Sequence, residues 1–176
     1  MSKKNIIIIF TDLDGSILDR DTFKFDQIKE YIKKLIISGI HIIPNSSKTE
    51  NEIMEFNSEL GENLPYISEN GSVINGLNLL NSNFPNKIIL SREKEELLEI
   101  FKNKVPENLQ SKCRFIQNLS KKDQINIFGL NETKLKNALN RKYTEPFLFD
   151  GSKNEKKDLK KILRENSLTI QEGGRV

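Results

Sequence analysis

The sequence predicts an α/β protein in which a parallel β-sheet with flanking helices precedes a smaller α+β module. Strand-like and helix-like segments alternate over residues 6–67, in the order strand, helix, strand, helix, strand. Right-handed crossovers between such strands produce a parallel sheet. From residue 69 onward, Asn and Gly separate short apolar segments, and this change of pattern indicates that a second module follows.

The first predicted strand is the apolar run at residues 6–10. Its length and β-branched side chains are typical of a strand buried on both faces of a parallel sheet. It is too short for the apolar core of a signal peptide or for a membrane span, and the acidic residues Asp12 and Asp14 follow it directly. We therefore expect a soluble cytoplasmic protein that has no membrane partner.

The next elements follow helical and strand patterns in turn. Asp26 is placed to cap a helix that ends near Gly39, residues 40–44 form a second strand, and residues 49–60 form a second helix. The apolar residues of the first helix recur at helical spacing: Ile28, Tyr31, Ile32, Leu35 and Ile36. A short third strand is expected at residues 66–67.

The second module is predicted to contain helices and short strands after a hairpin-like stretch and a linker near residues 81–86. Its expected helices cover residues 91–104, 121–128 and 154–165, with another after Asn131, and its expected strands cover residues 147–149 and 168–170.

Composition excludes several classes of function. The 176 residues include 28 basic and 25 acidic side chains, giving a formal net charge of +3. The Lys-rich runs at residues 121–122 and 153–161 contain no interleaved aromatic residues. We therefore interpret these runs as solvated helix faces and expect no nucleic-acid partner. Cys113 is the only cysteine, which excludes an intramolecular disulfide and predicts a small buried apolar side chain.

Two carboxylates, Asp12 and Asp14, follow the first strand at positions i and i+2. In an extended chain both project to the same side, at the edge of the sheet where open α/β folds bind ligands. Mg²⁺ prefers such oxygen ligands, and one carboxylate could attack phosphorus while the other handles the proton of the leaving group. The alternative is an acidic turn in which one Asp only caps the backbone.

A second polar segment, Asn45-Ser46-Ser47-Lys48-Thr49, lies between the second strand and the second helix. Hydroxyl groups, free amides at a helix N-terminus and the Lys48 ammonium together suit a phosphate group. Alternatively, Ser47 or Thr49 is simply the N-cap of the helix.

These two segments, DLDGS and SSKT, resemble motifs I and II of the haloacid dehalogenase-like phosphatases. Four longer stretches, PNSSKTENEI, ISENGSVI, RKYTEPF and QEGGR, resemble the mannosyl-3-phosphoglycerate phosphatase branch of that family. The stretches occur in the family's order, and the resemblance covers nearly the whole chain.

The resemblance implies roles for the first two motifs. Asp12 would be the nucleophile that becomes an aspartyl phosphate, and Asp14 would be the general acid and then the general base. Asp12 and the backbone carbonyl of Asp14 would ligate Mg²⁺, and the Ser46 hydroxyl would bind the phosphate.

Further substrate-binding residues implied by the resemblance are Lys48, Asn70, Gly71, Arg141, Glu145, Gly174 and Arg175. The guanidinium of Arg141 could bind a carboxylate or phosphate through two parallel hydrogen bonds. The alternative for Arg141 is a surface ion pair with Glu145.

The implied fold is a three-layer core containing a parallel sheet with an inserted α+β cap. Residues 1–82 would form the N-terminal part of the core, residues 83–170 the cap, and residues 171–176 the start of the return to the core. The family's catalytic Lys and late acidic motif have no counterpart here. We therefore expect that the C-terminal part of the core is missing and that the 176-residue chain has little activity alone.

The implied function is Mg²⁺-dependent hydrolysis of mannosyl-3-phosphoglycerate to mannosylglycerate and phosphate. One alternative is another sugar-phosphate phosphatase of the same branch. The other is an inactive fragment that only binds a ligand or a partner polypeptide. The sequence predicts no oligomeric state.

Overall fold

The computed structural model describes residues 6–173 and divides the chain into two compact units. The first unit is Met1–Ser91 and the second is Arg92–Val176. The predicted domain boundary after residue 82 stays a prediction, although the strand Lys87–Ile89 lies in the first unit.

A parallel strand pair begins the first unit. Strand β1 (Ile7–Thr11) pairs with β2 (Ile40–Pro44), in a register that places Ile9 opposite Ile42. Helix α1 (Asp26–Ile37) joins them, as the sequence predicts.

The cap of α1 differs from the prediction. Asp26 is the first helical residue, and the N-cap is Phe25, which makes no side-chain capping hydrogen bond. Asp26 in the first turn still places a negative charge near the positive end of the helix dipole.

Helix α2 (Glu50–Leu60) follows β2 and has well-defined ends. Thr49 and Glu52 form a reciprocal capping box, in which each side chain accepts a hydrogen bond from the other residue's backbone N–H. Gly61 ends the helix at φ +79°, a left-handed conformation that glycine adopts without steric cost.

Three short strands complete the first unit. They form an antiparallel sheet in the order β3 (Tyr66–Ser68), β4 (Val73–Asn75) and β5 (Lys87–Ile89). A parallel bridge between Asn45 and Ile67 connects the end of β2 to β3. The ends of β1, β2 and β3 are thereby brought to one edge.

The core of the first unit does not include β1. Buried residues of the core cluster come from the loop after β1, from both helices, from β2 and from the region of β3: Leu13, Leu18, Phe25, Ile32, Ile42, Ile53, Phe56, Leu60, Leu64 and Tyr66. In contrast, Ile9 is 38% exposed and Phe10 is 60% exposed. The expectation that residues 6–10 are buried on both faces is therefore wrong, because β1 contributes no residue to the core cluster and its faces are left largely uncovered in the described chain. At its edges, β1 pairs with β2 only in that part of the chain.

The second unit has five α-helices and one antiparallel strand pair within residues 92–173. In order these are α3 (Lys94–Lys104), α4 (Glu107–Gln110), β6 (Cys113–Phe115), α5 (Lys121–Phe128), α6 (Glu132–Leu139), β7 (Phe147–Phe149) and α7 (Lys153–Glu165). The sequence predicts β7 and four of the five helices, but not α4 or β6. Helix α3 begins three residues later than expected, and residues 168–170 form no strand.

Side chains fix the starts of three helices in this unit. Ser120, Asn131 and Ser152 each accept a hydrogen bond from a backbone N–H in the first turn of α5, α6 and α7, respectively. Leu168 and Ile170 pack against the core of this unit without joining its sheet.

Cys113 lies in β6 and is buried, as predicted. Its Sγ lies 3.5 Å from the carbonyl oxygen of Leu109, and burial raises the pKa of its thiol to about 11.

Among the helices of residues 6–173, we find none with the length and apolar character needed to cross a bilayer.

Candidate functional site

Asp12 and Asp14 lie in the loop that directly follows β1. Both are exposed, whereas Leu13 between them is completely buried, so the chain keeps a strand-like alternation here. The two carboxylates therefore share the solvent side of the loop, as the spacing predicts. Asp12 Oδ1 also accepts a hydrogen bond of 2.7 Å from the Leu13 backbone N–H, which orients that carboxylate.

A tight turn holds this loop in place. The Leu18 N–H donates to the Leu13 carbonyl, and the Gly15 N–H donates to the Leu18 carbonyl, both at 2.8 Å. Gly15 has φ +74°, a left-handed conformation that disfavours other residues. Leu13 and Leu18 are both in the core, so the loop that carries Asp12 is anchored by apolar burial.

The segment after β2 lies beside this loop, as predicted. The Asn45 N–H donates to the Thr11 carbonyl at 2.8 Å, and the Ser46 N–H donates to the Ile67 carbonyl at 3.1 Å. The backbone of Ser46 is therefore bonded to β3, and the backbone of Asn45 is bonded to the end of β1. Its side chain is buried, and its Oγ lies 3.4 Å from the backbone nitrogen of Lys48.

Thr49 is the N-cap of α2, so the alternative interpretation of this segment is correct for Thr49. That role occupies Thr49 but does not involve Ser46 or the ammonium of Lys48. The segment therefore combines a structural cap with an ammonium group that lies near Asp14.

Lys48 is the contact that joins the two motifs. Its Nζ lies 3.0 Å from Asp14 Oδ1 and 3.5 Å from Glu52 Oε1, and its side chain is only 11% exposed. The ammonium also lies 5.1 Å from the centre of the Phe23 ring, within the range of a cation–π interaction. Neither Glu52 nor Phe23 was predicted as part of the site. The i, i+4 spacing of Lys48 and Glu52 on a helix start is the signal that could have identified Glu52.

Asn70 and Gly71 lie in a strained turn that packs on the Ser46–Lys48 segment. Glu69, Asn70 and Gly71 have φ values of +48°, +58° and +90°, so three successive residues are left-handed. The Glu69 N–H donates to the Lys48 carbonyl at 2.9 Å, and the Asn70 N–H donates to the Ser46 carbonyl at 3.2 Å. This backbone conformation costs about 1–3 kcal/mol for each non-glycine residue, and the two hydrogen bonds to the Ser46–Lys48 segment help to offset that cost.

Arg141 and Glu145 lie in the second unit, in the loop between α6 and β7. Arg141 Nη1 donates to Thr144 Oγ1 at 2.9 Å, while the Glu145 side chain is 7% exposed and lies 3.7 Å from Lys94 Nζ. Lys94, which was not predicted as a site residue, is thus an ion-pair partner of Glu145. The remaining predicted site residues, Gly174 and Arg175, lie outside the described residues.

A preformed metal centre is not evident in residues 6–173. No three side chains among His, Cys, Asp and Glu come together there in a way that could hold an ion. Asp12 and Asp14 are nevertheless exposed oxygen donors of the kind that Mg²⁺ binds together with water or phosphate oxygens.

The chain belongs to the haloacid dehalogenase-like hydrolase family, since residues 9–172 match the family model. Within that family, it is similar to two curated relatives that share one name, glucosyl-3-phosphoglycerate/mannosyl-3-phosphoglycerate phosphatase. The protein from Persephonella marina is 28% identical over 180 residues, and the protein from Methanococcoides burtonii is 29% identical over 185 residues. The resemblance inferred from the motifs is therefore confirmed.

These matches cover 96% of this chain but only 64% and 65% of the two relatives. The chain thus spans slightly less than two thirds of the length of the curated relatives it matches.

Solved structures support the fold class. A protein from Thermoplasma acidophilum, 16% identical, superposes with a TM-score of 0.60 over 96% of this chain and 61% of its own. A haloacid dehalogenase-like hydrolase from Bacteroides thetaiotaomicron, 15% identical, also gives a TM-score of 0.60, over 97% of this chain and 69% of its own. The predicted fold class is confirmed.

Proposed function

We propose that this protein is a phosphomonoesterase that transfers phosphate from its substrate to Asp12 and then to water. The observation that best supports this proposal is the position of Lys48, whose ammonium lies 3.0 Å from Asp14 in the loop that also carries Asp12. A phosphate group that enters here meets a carboxylate nucleophile, a neighbouring acid and a cation within one small region.

Asp12 is the proposed nucleophile. Its Oδ1 is oriented by the Leu13 N–H, so the carboxylate is held on the exposed side of the loop. Attack forms a bond between an Asp12 oxygen and phosphorus while the bond from phosphorus to the ester oxygen breaks. A water molecule then attacks the phosphorus of the aspartyl phosphate and restores the Asp12 carboxylate.

Asp14 is the proposed proton donor and acceptor. It gives its proton to the departing ester oxygen and later accepts a proton from the attacking water. Because Lys48 contacts Asp14, an entering phosphate competes with Asp14 for the ammonium. Ser46, held by β3, supplies a hydroxyl group for the same phosphate.

Mg²⁺ is the proposed cofactor, with the Asp12 carboxylate and the Asp14 backbone carbonyl as its protein ligands. Such oxygen donors, together with phosphate and water oxygens, fit the coordination that this ion prefers. When bound, Mg²⁺ would neutralise the charge that otherwise opposes approach of a phosphate to a carboxylate.

The proposed substrate is mannosyl-3-phosphoglycerate, which is one of the two substrates in the name of the curated relatives. Asn70, Gly71, Arg141 and Glu145 would recognise parts of the substrate other than the transferred phosphate, together with Gly174 and Arg175. The half-buried guanidinium of Arg141, held by Thr144, suits a carboxylate or a hydroxyl-rich group.

Two alternatives remain for the function. The name of the relatives includes the glucosyl ester, so another sugar phosphate of this kind is one alternative. The other is a protein that binds a phosphorylated ligand or a partner polypeptide without turnover. A cytoplasmic location and the absence of a nucleic-acid partner also stay predictions.

The experiment measures phosphate release from mannosyl-3-phosphoglycerate, with and without Mg²⁺, for the wild type and the Asp12→Asn variant. In a form extended with the family's catalytic Lys and late acidic motif, we expect Mg²⁺-dependent release and a loss of at least about a thousandfold in Asp12→Asn, because an amide cannot act as the nucleophile. The 176-residue chain alone is expected to release little phosphate. Ser47→Ala is the control, since this exposed neighbour of Ser46 has no role in the proposed reaction.

The outcomes separate the alternatives. If Asp12→Asn keeps more than about a tenth of the wild-type rate, the assignment of the nucleophile is wrong. Binding of the ester without release of phosphate by the extended form would favour the ligand-binding alternative. A preference for the glucosyl ester would keep the mechanism and change the substrate.

A further inference from the structure

Phe23 lies in the loop between β1 and α1 and has a backbone conformation that is rare for its residue type. Its φ is +58°, in the left-handed region that a bulky residue adopts only at a cost in energy. The loop maintains this conformation, because the Phe23 N–H donates to the Asp19 carbonyl at 2.9 Å and the Asp19 N–H donates to the Lys24 carbonyl at 2.9 Å. Asp19 Oδ1 also accepts a hydrogen bond of 2.8 Å from the Thr22 N–H. The loop therefore determines where the Phe23 ring lies.

The ring of Phe23 does not belong to the core of the first unit. Phe25, two residues further on, is buried in that core, and its ring lies 5.0 Å from that of Phe56. Phe23 is absent from the core cluster, and its ring lies 5.1 Å from the ammonium of Lys48. The loop is thus anchored in the core by Phe25, whereas Phe23 contacts the polar site.

Two carboxylates and this aromatic ring contact the Lys48 ammonium. Asp14 Oδ1 lies 3.0 Å from Lys48 Nζ, and Glu52 Oε1 lies 3.5 Å from it. Glu52 is also held by the start of α2, since its Oε2 accepts a hydrogen bond of 2.9 Å from the Thr49 N–H. The Asp14 side chain, in contrast, is 41% exposed. Asp14 is therefore the neighbour of the ammonium that an entering ligand meets first.

A phosphate competes with Asp14 for the ammonium but does not compete with the Phe23 ring. Phosphate and carboxylate oxygens both accept hydrogen bonds from the ammonium N–H groups, whereas the ring attracts the cation through its face. The Lys48 side chain is only 11% exposed, and a cation–π interaction is stronger in such surroundings than in open water. A lysine that is already held in place also loses less side-chain entropy when a ligand binds.

We propose that Phe23 is a positioning residue for phosphate binding. Its ring holds the Lys48 ammonium in place, so that the ammonium stays at the site when a phosphate replaces Asp14 as its partner. This inference rests on the proposed function, because it concerns the phosphate group of the same substrate. It assigns a role to a residue outside both motifs and gives a reason for its strained backbone.

The first measurement detects the ring beside the ammonium by NMR spectroscopy of the full chain. Protons that lie over an aromatic ring resonate upfield of their usual position. We expect the Hε protons of Lys48 to be shifted upfield relative to those of the exposed Lys102, and Phe23→Leu to remove the shift. The shift should persist when inorganic phosphate and Mg²⁺ are added. Its absence, or its loss on phosphate binding, would overturn the proposal.

The second measurement compares affinities for inorganic phosphate, which carries only the transferred group. We expect Phe23→Leu to weaken phosphate binding by about three- to tenfold, the size of one partly desolvated cation–π interaction. Phe23→Tyr keeps an aromatic ring and should bind phosphate within about twofold of the wild type. Phe84→Leu is the matched control, because it makes the same change on an exposed phenylalanine of the same unit and should leave the affinity unchanged.

Phe23→Gly separates phosphate binding from a role in folding. Glycine adopts a left-handed conformation without steric cost, so this variant removes the ring and the backbone strain together. We expect it to lose as much phosphate affinity as Phe23→Leu, with a melting temperature within a few degrees of the wild-type value.

The results distinguish this inference from the proposed function. If a folded Phe23 variant without the ring binds phosphate as tightly as the wild type, the assignment of Phe23 is wrong and the proposed function stands. The same conclusion follows if Phe23→Tyr loses as much affinity as Phe23→Leu. If the wild type binds no phosphate, the proposed function and the assignment fall together.

Discussion

Strands β1 and β2 are neighbours in one parallel sheet, have equal length and are both rich in isoleucine. They differ in burial, because the side chains of β1 are largely exposed and two isoleucines of β2 lie in the protein interior. Every described apolar residue of β1 is at least 38% exposed, whereas Ile42 and Ile43 of β2 are almost completely buried. The difference does not come from the strands themselves, since their residues pair one to one. It comes from the elements that pack on each strand.

An apolar run in this sequence thus predicts a strand more reliably than it predicts burial. Parallel strands are normally covered on both faces by helices. In the described chain, β2 lies with α1 and the core cluster, while β1 has no place in that cluster. An exposed apolar strand with one unpaired edge favours association with other chains.

The largest expected effect is the difference between Ile42→Ala and Ile9→Ala, two residues that lie opposite each other in the sheet. Ile42→Ala should lower the free energy of unfolding by about 2–5 kcal/mol, because it opens a cavity in the core. Ile9→Ala should cost about 1 kcal/mol or less, since much of this side chain is already in contact with water. Urea denaturation of both variants and the wild type gives the two values.

Equal losses in the two variants would contradict this view of the sheet. They would indicate that β1 is covered in solution, for example by a second copy of the chain. Repeating the measurement at several protein concentrations separates that case from a monomer with a buried β1.

The next largest expected effect is a difference in reactivity between the buried cysteine of β6 and a cysteine introduced into the exposed strand β1. Cys113 in β6 has a pKa of about 11 because of burial, so below that pH its thiol stays protonated and reacts slowly. A cysteine introduced by Ile8→Cys in a Cys113→Ser background should have an ordinary pKa. At pH 8 we expect iodoacetamide to modify the introduced cysteine about a hundredfold faster or more, as followed by mass spectrometry.

Unfolding in denaturant is the control for this measurement, because both cysteines should then react at similar rates. Rapid modification of Cys113 in the native protein would show that β6 opens readily or that its thiol is not buried.

The smallest expected effect is on self-association through β1. Ile8 and Phe10 project from the same face of this strand, and the double variant Ile8→Thr/Phe10→Thr keeps residues that favour strands. We expect a several-fold higher concentration before light scattering detects aggregates, with the melting temperature lowered by a few degrees at most. Ile37→Thr, on an exposed helix end, is the control and should change neither property.

Unchanged aggregation in the double variant would show that another surface drives association. Loss of cooperative melting would instead show that these side chains stabilise the unit.

Local sequence predicted most elements of the fold and the two motifs of the site. The boundaries of β2 follow from its apolar residues and the proline at its end, and α2 is bounded by Thr49 and Gly61. Strand β6 was missed because its three residues, Cys-Arg-Phe, form no pattern without their partner Phe147–Phe149. The expected strand at residues 168–170 has suitable side chains but no partner in the sheet.

The contacts of the candidate site were less predictable than its residues. The sequence identified Asp14 and Lys48 separately, but the 3.0 Å ion pair between them depends on how two loops meet after β1 and β2. The contact of Lys94 with Glu145 joins residues from distant parts of the second unit. Such long-range pairs have no signature in local spacing.

The antiparallel sheet of the first unit also bears on the order in which the chain folds. Strands β3, β4 and β5 all lie within residues 66–89, so their hydrogen bonds close short loops. The pair of β1 and β2 forms only after the chain has crossed over through α1, at a greater cost in loop entropy. We expect the small antiparallel sheet to gain protection against amide exchange first during refolding, and β1 to gain it last.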